Sequence, residues 1–198
     1  MTVSVPRRGI LLFAIALSLG PFAFAQQFEI GATYGWVNDV THDWALGNFQ
    51  APNWEGWAAA RIEEGAVARL TFGSLRMPGS NVGTVIPQGG GSSVVMPPYR
   101  DQVGFATLDV SYLFLQGPMT CGIFAGIGGY KLSPQGVPPE FTAYEDPRQT
   151  VFGWNAGVEG YLHLYRGLAG VGRLTFHNIF ADTRRYLLEA SVGAAYRF

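Results

Sequence analysis

Three histidines are the side chains of this sequence best suited to acid–base or metal chemistry. His42 lies in a polar connecting segment, whereas His163 and His177 lie near the ends of two alternating segments. A metal site needs several ligands that converge on one point. Because His163 and His177 fall near opposite ends of their segments, a shared site is not expected, and the sequence predicts neither a bound metal nor a cofactor.

A second set of reactive side chains consists of carboxylates and arginines that lie opposite stripes of apolar residues. Among the 13 basic residues, only Lys131 is a lysine. The planar guanidinium fork matches a carboxylate, so arginine suits buried ion pairs better than lysine does. We expect ion pairs on the inner face of a closed sheet, drawn from Glu29, Arg61, Arg69, Asp109, Glu159, Arg173 and Glu189. The charges expected at a rim, where water solvates them, are Glu55, Arg185 and Arg197.

Eight segments with a period of two carry these charges, and this period indicates strands because successive side chains point to opposite faces. They are residues 28–36, 54–62, 66–72, 103–115, 119–131, 151–164, 168–177 and 186–198. In the last segment an apolar stripe runs from Tyr186 to Phe198, with aromatic residues at both ends. The faces of the glycine-rich fifth segment stay unassigned, since Ile123 and Ile127 compete with Phe124.

The connections between these segments alternate in length. The long ones are residues 37–53, 74–102, 132–149 and 178–183, and the others are short turns. In an up-and-down barrel, alternate connections lie at opposite ends, so one rim carries turns and the other carries loops. The sequence therefore predicts an all-β fold, an eight-stranded antiparallel up-and-down β-barrel.

Composition indicates that this barrel is transmembrane. Charged residues make up 14% of the chain, against about 25% in ordinary soluble domains. After residue 25 no apolar run is long enough for a spanning helix, so only a closed barrel would satisfy the backbone in lipid. An arginine on the lipid face at mid-membrane costs roughly 2–4 kcal/mol. We therefore expect the apolar stripes to face lipid and the charges to face the lumen.

The first 25 residues have the pattern of a secretory signal peptide. Two arginines precede an apolar run, and Ala23 and Ala25 form a cleavage site of the A-x-A type. We expect cleavage after Ala25, which makes residues 26–198 one barrel domain. Cys121 is the sole cysteine, so no internal disulfide is expected, and a net charge of −1 gives no support for nucleic-acid binding.

The signal peptide, eight strands, loop asymmetry and aromatic C-terminus together resemble the small eight-stranded outer-membrane barrels, such as the OmpA membrane domain and the OmpX-like proteins. The resemblance implies a monomeric barrel surrounded by lipid in the outer membrane of a Gram-negative-type cell envelope. It also implies that the barrel-assembly machinery reads Tyr196 and Phe198 as its signal. Side chains fill so narrow a lumen, which favours a structural or surface-interaction role without enzymatic activity.

Two other functions stay open for this class. Some small outer-membrane barrels modify lipid A as deacylases or acyltransferases, and the deacylase resemblance requires a serine two residues after a histidine. Ile179 stands at that position after His177, which we expect to be a polar residue near the outer rim. The second alternative is a narrow porin-like channel, although porins with aqueous channels use 16–18 strands.

Aromatic residues around the first long connection indicate a possible contact surface. Trp44, Trp54 and Trp57 lie in or beside this connection, and exposed aromatic residues commonly anchor partners. They either bind an unidentified extracellular ligand or belong to the aromatic girdle at the outer rim. A soluble calyx of the lipocalin type shows the same alternation with its apolar face inward, and the terminal Phe198 favours the membrane barrel over it.

Overall fold

Ten β-strands are formed by the described residues of the chain. The computed structural model describes residues 27–41, 51–78, 83, 85–88, 92–97, 99–114, 117–137, 141, 148–182 and 184–198. The strands are β1 (Phe28–Asp39), β2 (Ala51–Glu63), β3 (Ala66–Pro78), β4 (Val85–Gln88), β5 (Ser92–Val95), β6 (Arg100–Leu113), β7 (Met119–Gln135), β8 (Gln149–Tyr165), β9 (Leu168–Ile179) and β10 (Arg185–Arg197). In these residues no helix has the length and apolar character needed to cross a membrane. The predicted signal peptide lies outside them.

Eight of the strands close into one antiparallel barrel in the order β1-β2-β3-β6-β7-β8-β9-β10. The seam pairs β1 with β10, and it places Glu29 opposite Arg197 and Asp39 opposite Leu187. Neighbours in the barrel are also neighbours along the chain, apart from the separate β4–β5 hairpin, so the predicted eight-stranded up-and-down barrel is confirmed. Closure removes the sheet edges, where backbone N–H and C=O groups would otherwise lack partners.

Long connections lie at one end of the barrel, which we call the loop end. The strands reach further toward this end than the sequence predicts, because β3 continues to Pro78 and β6 already begins at Arg100. The connection between them contains the β4–β5 hairpin, which the alternating pattern did not indicate. Ile86, Met96 and Tyr99 form a small apolar cluster beside this hairpin.

Short turns lie at the opposite end, which we call the turn end. Gly65 and Gly167 occupy two of them with φ angles of 82° and 87°, a left-handed region that glycine enters without a Cβ clash. The N–H of Leu113 donates to the carbonyl of Gly65 at 2.7 Å, and that of Arg197 donates to the carbonyl of Gly167 at 2.9 Å. Each turn is thereby tied to the strand beside it.

Apolar side chains cover the outer face of the barrel. Its middle band is aliphatic and consists of Ile30, Leu70, Val110, Ile123, Ile127, Val158, Leu162, Leu174 and Val192. Exposed aromatic residues flank the band, namely Tyr34, Trp36, Trp54, Phe72, Phe152 and Phe180 toward the loop end and Phe28, Tyr112, Phe114, Tyr165, Tyr196 and Phe198 toward the turn end. In β7, Ile123 and Ile127 face outward and Phe124 faces the lumen, which resolves the facing that the sequence left open.

The interior is layered along the barrel axis. The loop-end layer is apolar and consists of Val37, Leu75, Met77, Val103, Phe105, Tyr130, Leu132, Ile179 and Leu187. The turn-end layer is also largely apolar and consists of Trp57, Ala59, Val67, Leu113, Tyr161, Ala169, Val171 and Ala195. Between them lies a zone of buried polar and charged residues that we call the ionic belt, which includes Glu55, Arg69, Thr71, Asp109, Glu159, Arg173, Thr175, His177 and Glu189.

Gly31 leaves the space into which the indole of Trp57 packs. A Cβ at residue 31 would lie 2.2 Å from Cζ2 of Trp57. We expect Gly31→Val to displace this ring and to lower the free energy of unfolding by about 1–3 kcal/mol, as overpacked cores do. Gly104→Val is the control, since no atom lies within 4 Å of a Cβ at that position. Urea unfolding in lipid vesicles measures both variants, and equal stabilities would contradict the packing.

Candidate functional site

Arg69 and Glu159 form the central ion pair of the ionic belt. Nη1 of Arg69 lies 2.6 Å from Oε2 of Glu159, and Nη2 lies 3.0 Å from Oε1. Nη2 also donates to the hydroxyl of Tyr161 at 2.7 Å. Such a bidentate pair is strong because the planar guanidinium matches the carboxylate. The pair joins β3 to β8, which are not neighbours in the sheet, so it spans the lumen.

Arg173 connects Glu159 to a third carboxylate. Nη1 of Arg173 donates to Oε2 of Glu55, and its Nε lies 3.7 Å from Oε2 of Glu159. Thr33 donates to the same oxygen of Glu55 at 3.4 Å. Arg69, Glu159, Arg173 and Glu55 therefore form a continuous chain of alternating charge across the lumen.

Trp57 packs against both arginines from the turn end. The guanidinium carbons of Arg69 and Arg173 lie 5.5 Å and 5.6 Å from its ring centroid. Its indole N–H donates to Oε1 of Glu29 at 3.1 Å. Desolvated cation–π contacts contribute about 2 kcal/mol or more, so the turn-end layer stabilises the charges above it as well as excluding water.

His177 lies on the loop side of the ionic belt. Its Nε2 lies 3.1 Å from Oε2 of Glu189, and its Nδ1 lies 3.1 Å from the hydroxyl oxygen of Tyr130. When Glu189 is ionised its carboxylate only accepts hydrogen bonds, and in that state Nε2–H of the neutral imidazole donates to Glu189 while Nδ1 accepts from the hydroxyl of Tyr130. Glu55, His177 and Glu189 each bring one possible ligand atom to within 4.8 Å of the others. Strands β2, β9 and β10 thereby place three possible ligands together.

Further ion pairs lie beyond the two apolar layers. At the loop end, Arg185 donates to Asp39 at 3.0 Å and to Asp101 at 3.2 Å. At the turn end, Arg197 donates to Glu29 at 3.0 Å. The contacts of Arg185 with Asp39 and of Arg197 with Glu29 join β10 to β1 across the seam, and the contact of Arg185 with Asp101 crosses the lumen at the loop end.

The residues predicted for the charge network occupy three different places. Those within the ionic belt are Arg69, Asp109, Glu159, Arg173 and Glu189. Asp109 accepts a hydrogen bond from Thr71 at 2.6 Å, and Glu29 lies at the turn end. Arg61 is half-buried at the turn-end rim, where the pairing of β2 becomes irregular before Glu63. Arg61 forms no ion pair with any other described residue.

Two charges expected at a rim are buried instead. Glu55 is 1% exposed and Arg185 is 3% exposed. The strand β2 begins at Ala51, earlier than predicted, and this places Glu55 well inside the barrel. The carboxylates of Asp39 and Asp101 compensate the charge of Arg185. Arg197, the third residue of this group, is partly exposed at the turn end.

The structure also corrects the placement of a histidine and a tryptophan. His177 is fully buried rather than near the outer rim, because β9 continues to Ile179 and the loop-end layer covers the ring. Trp57 faces the lumen, so it is neither a loop anchor nor a girdle residue. Trp54 is exposed on the outer face, and Trp44 lies outside the described residues.

Sequence reasoning did not identify several polar partners of the buried charges. Asp39 and Asp101 fell within predicted connections, and Tyr130 lay in the segment whose faces were unassigned. Tyr161 carried a usable signal, because it follows Glu159 by two residues and therefore shares its face. The grouping of Glu55, His177 and Glu189 depends on the register of three strands, which the alternation does not specify.

The predicted assembly signal lies on the outer face at the turn end. The rings of Tyr196 and Phe198 meet edge to face, with centroids 5.1 Å apart. The N–H of Phe198 donates to the carbonyl of Phe28 at 2.9 Å. The last residue therefore extends the seam that closes the barrel.

The fold is shared with several solved outer-membrane proteins. The N-terminal β-barrel domain of Pseudomonas aeruginosa OprF matches with 13% identity and a TM-score of 0.55 over 88% of this chain and 98% of that one. Neisserial surface protein A matches with 13% identity and a TM-score of 0.58 over 87% of this chain and 96% of that one. A major outer membrane protein from Thermus thermophilus matches with 18% identity and a TM-score of 0.57 over 87% of this chain and 98% of that one. Neither a family model nor a curated protein matches the sequence. The chain thus has the fold of the small eight-stranded outer-membrane barrels.

Removing one partner of the central ion pair should lower the free energy of unfolding more than removing both partners. Arg69→Met leaves the carboxylate of Glu159 buried without its bidentate donor, so we expect a loss of about 3–5 kcal/mol in unfolding free energy. The double variant Arg69→Met/Glu159→Leu leaves no such charge and should recover most of the loss. Unfolding by guanidinium chloride in lipid vesicles measures both, and a double variant less stable than Arg69→Met would contradict this account.

Proposed function

We propose that this chain is an integral outer-membrane protein with a structural or surface-interaction role and without enzymatic activity. The observation that carries the proposal is the difference between the two faces of the barrel wall. The outer face has an aliphatic band between two aromatic zones, whereas the ion pairs lie on the inner face. A membrane barrel requires this arrangement. In this proposal residues 1–25 direct export, the barrel-assembly machinery reads Tyr196 and Phe198, and lipid surrounds a monomer.

The layered interior favours a closed barrel over a porin-like channel. The loop-end and turn-end layers both cross the lumen, and the ion pair of Arg69 and Glu159 lies between them. A permeating ion would have to displace apolar side chains twice and break a bidentate ion pair. Hydrophobic constrictions also exclude water from a pore.

The position of His177 disfavours a lipid-modifying enzyme. A general base must come within about 2.6–3.2 Å of the proton that it removes. His177 is fully buried inside the barrel, where its Nε2 contacts Glu189 and its Nδ1 contacts Tyr130. The acyl chains of a lipid substrate would lie outside the barrel wall. The neighbour of His177 at the predicted nucleophile position, Ile179, is buried in the loop-end layer.

A surface-interaction role assigns ligand binding to the loop end. Arg76, Arg100 and Lys131 are exposed there on adjacent strands β3, β6 and β7. Arg76 and Arg100 line a surface pocket of about 230 Å³ together with Gln102, Gln135 and Asp101, and the carboxylate of Asp101 is already paired with Arg185. This rim favours an anionic extracellular ligand, and Trp54, which lines a second pocket together with Arg76 and Gln102, lies beside it as an exposed aromatic contact.

The proposed membrane setting predicts that the cost of a new charge depends on its depth. Val158→Arg places a cation in the middle of the aliphatic band and should lower the unfolding free energy in lipid vesicles by about 2–4 kcal/mol. Tyr165→Arg, at the turn-end interface, should cost only about 0–1 kcal/mol. Heat-modifiable migration in detergent gels confirms that each variant is folded. Equal costs at the two depths, or a wild-type protein that is monomeric in water without amphiphiles, would contradict the proposal.

The closed lumen predicts that the protein conducts no ionic current across planar bilayers. Folded wild-type protein, inserted at a density confirmed by immunodetection, should produce no stepwise current. The variant Arg69→Met/Glu159→Leu should also be silent, because the two apolar layers remain in place. Discrete conductance steps from the wild-type protein would favour the channel instead.

A further inference from the structure

We infer that the cluster of Glu55, His177 and Glu189 is a binding site for one divalent transition-metal cation inside the barrel. The three side chains come from β2, β9 and β10, and all are buried. An imidazole nitrogen with two carboxylate oxygens is a donor set that suits zinc, and manganese accepts the same oxygens. This site is separate from the outer surface on which the proposed function depends.

The charge of the ionic belt is the first argument for a cation. Between the two apolar layers, the described residues place the carboxyl groups of Glu55, Asp109, Glu159 and Glu189 against the guanidinium groups of Arg69 and Arg173. With all six groups ionised, two negative charges lack a counter-charge. Uncompensated charge is costly in an interior from which apolar layers exclude water. Either a proton held between the neighbouring carboxyl groups of Glu55 and Glu189 or one divalent cation removes this excess charge, and metal analysis of the refolded protein distinguishes the two.

Unsatisfied polar atoms beside the cluster are a second, independent observation. Oε1 of Glu189 is buried and has no hydrogen-bond partner. The amide of Asn53, the hydroxyl of Ser191 and the carboxyl group of Glu55 all lie beside the Glu189 carboxylate, but none of them meets Oε1 of Glu189 with ordinary hydrogen-bond geometry. Asn53 is 1% exposed and Ser191 is 4% exposed. Buried polar groups usually have partners, and a cation between the carboxylates would supply one for their oxygens.

The dimensions of the cluster fit one ion. Protein ligands lie about 2.0–2.2 Å from zinc in a tetrahedral arrangement, so two of them are about 3.4 Å apart. The ligand atoms of the cluster lie within 4.8 Å of one another, so small side-chain rotations bring all three to bonding distance. Arg173 and Thr33 both donate to Oε2 of Glu55, which leaves its other oxygen for the metal.

Tyr130 is placed to orient the imidazole ligand. Its hydroxyl lies 3.1 Å from Nδ1 of His177. When Nε2 binds the metal, the proton resides on Nδ1, and Nδ1–H donates to the hydroxyl oxygen of Tyr130. A hydrogen bond of this kind to the second nitrogen is usual for metal-binding histidines and fixes the orientation of the ring.

Metal analysis of refolded protein tests the site. Tag-free wild-type chain is refolded into detergent with ZnCl₂ or, separately, MnCl₂, passed through a chelating column and analysed by mass spectrometry of the elements. We expect about one ion per folded chain, because a buried preformed site binds as the barrel folds. Metal added after folding should enter at least tenfold more slowly, since apolar layers cover both ends of the belt.

Matched variants distinguish this cluster from other ligands in the chain. Glu55→Gln/Glu189→Gln and His177→Asn should lose the retained metal, whereas Glu29→Gln and His163→Gln should keep it, because these two residues lie outside the cluster. Heat-modifiable migration identifies the folded fraction. If a cluster variant does not fold, wild-type protein loaded with Co²⁺ replaces it in the test. Its visible spectrum should show the bands of a site with nitrogen and oxygen ligands, and these bands should disappear when Zn²⁺ is added.

Two results would overturn the inference. Folded wild-type protein that retains neither zinc nor manganese and gives no Co²⁺ spectrum shows that the site does not bind these metals. Folded cluster variants that retain as much metal as the wild type show that the ions bind elsewhere. Neither result affects the proposed membrane placement, which the depth-dependent arginine substitutions test separately.

Discussion

The burial of charge inside a closed barrel is the constraint on which the rest of the structure depends. Closure pairs the backbone of all eight strands and sends every second side chain into a lumen too narrow for bulk water. A charge there needs a partner within reach, since an unpaired buried ion is strongly destabilising. The bidentate contact of Arg69 with Glu159, with Arg173 continuing the chain to Glu55, meets this need across strands that do not touch in the sheet.

The two apolar layers and the ionic belt depend on each other. The layers exclude water, which strengthens the attraction between the belt's charges. The belt in turn holds the layers, because Trp57 packs its ring on two guanidinium groups and Tyr161 accepts a hydrogen bond from Arg69. Tyr130 performs the same double role at the loop end, where it belongs to the apolar layer and contacts His177.

The alternation of the sequence was sufficient to predict the eight barrel strands, the facing of all of them except β7, and the closed barrel, because a period of two and a single buried face leave few other arrangements. The layers along the axis were not predictable in the same way. Whether Glu55 lies at a rim or in the belt depends on where β2 begins, and an alternating pattern does not show at which residue a strand begins or ends. In β7, glycines removed the side chains that would have shown its faces, and contacts such as that of Arg69 with Glu159 require the register of all intervening strands.

The polar interior also specifies the register of the strands. If apolar residues filled the lumen, both faces of each strand would look alike, and a slip of one residue would carry little penalty. In this chain such a slip in β3 or β9 would turn Arg69 or Arg173 toward the outer face. In a bilayer each exposed arginine near the midplane costs roughly 2–4 kcal/mol, and its former carboxylate partner would remain buried and unpaired. A buried ion pair adds little net stability over apolar packing, so discrimination against misregistered barrels is the stronger physical reason for placing charges there.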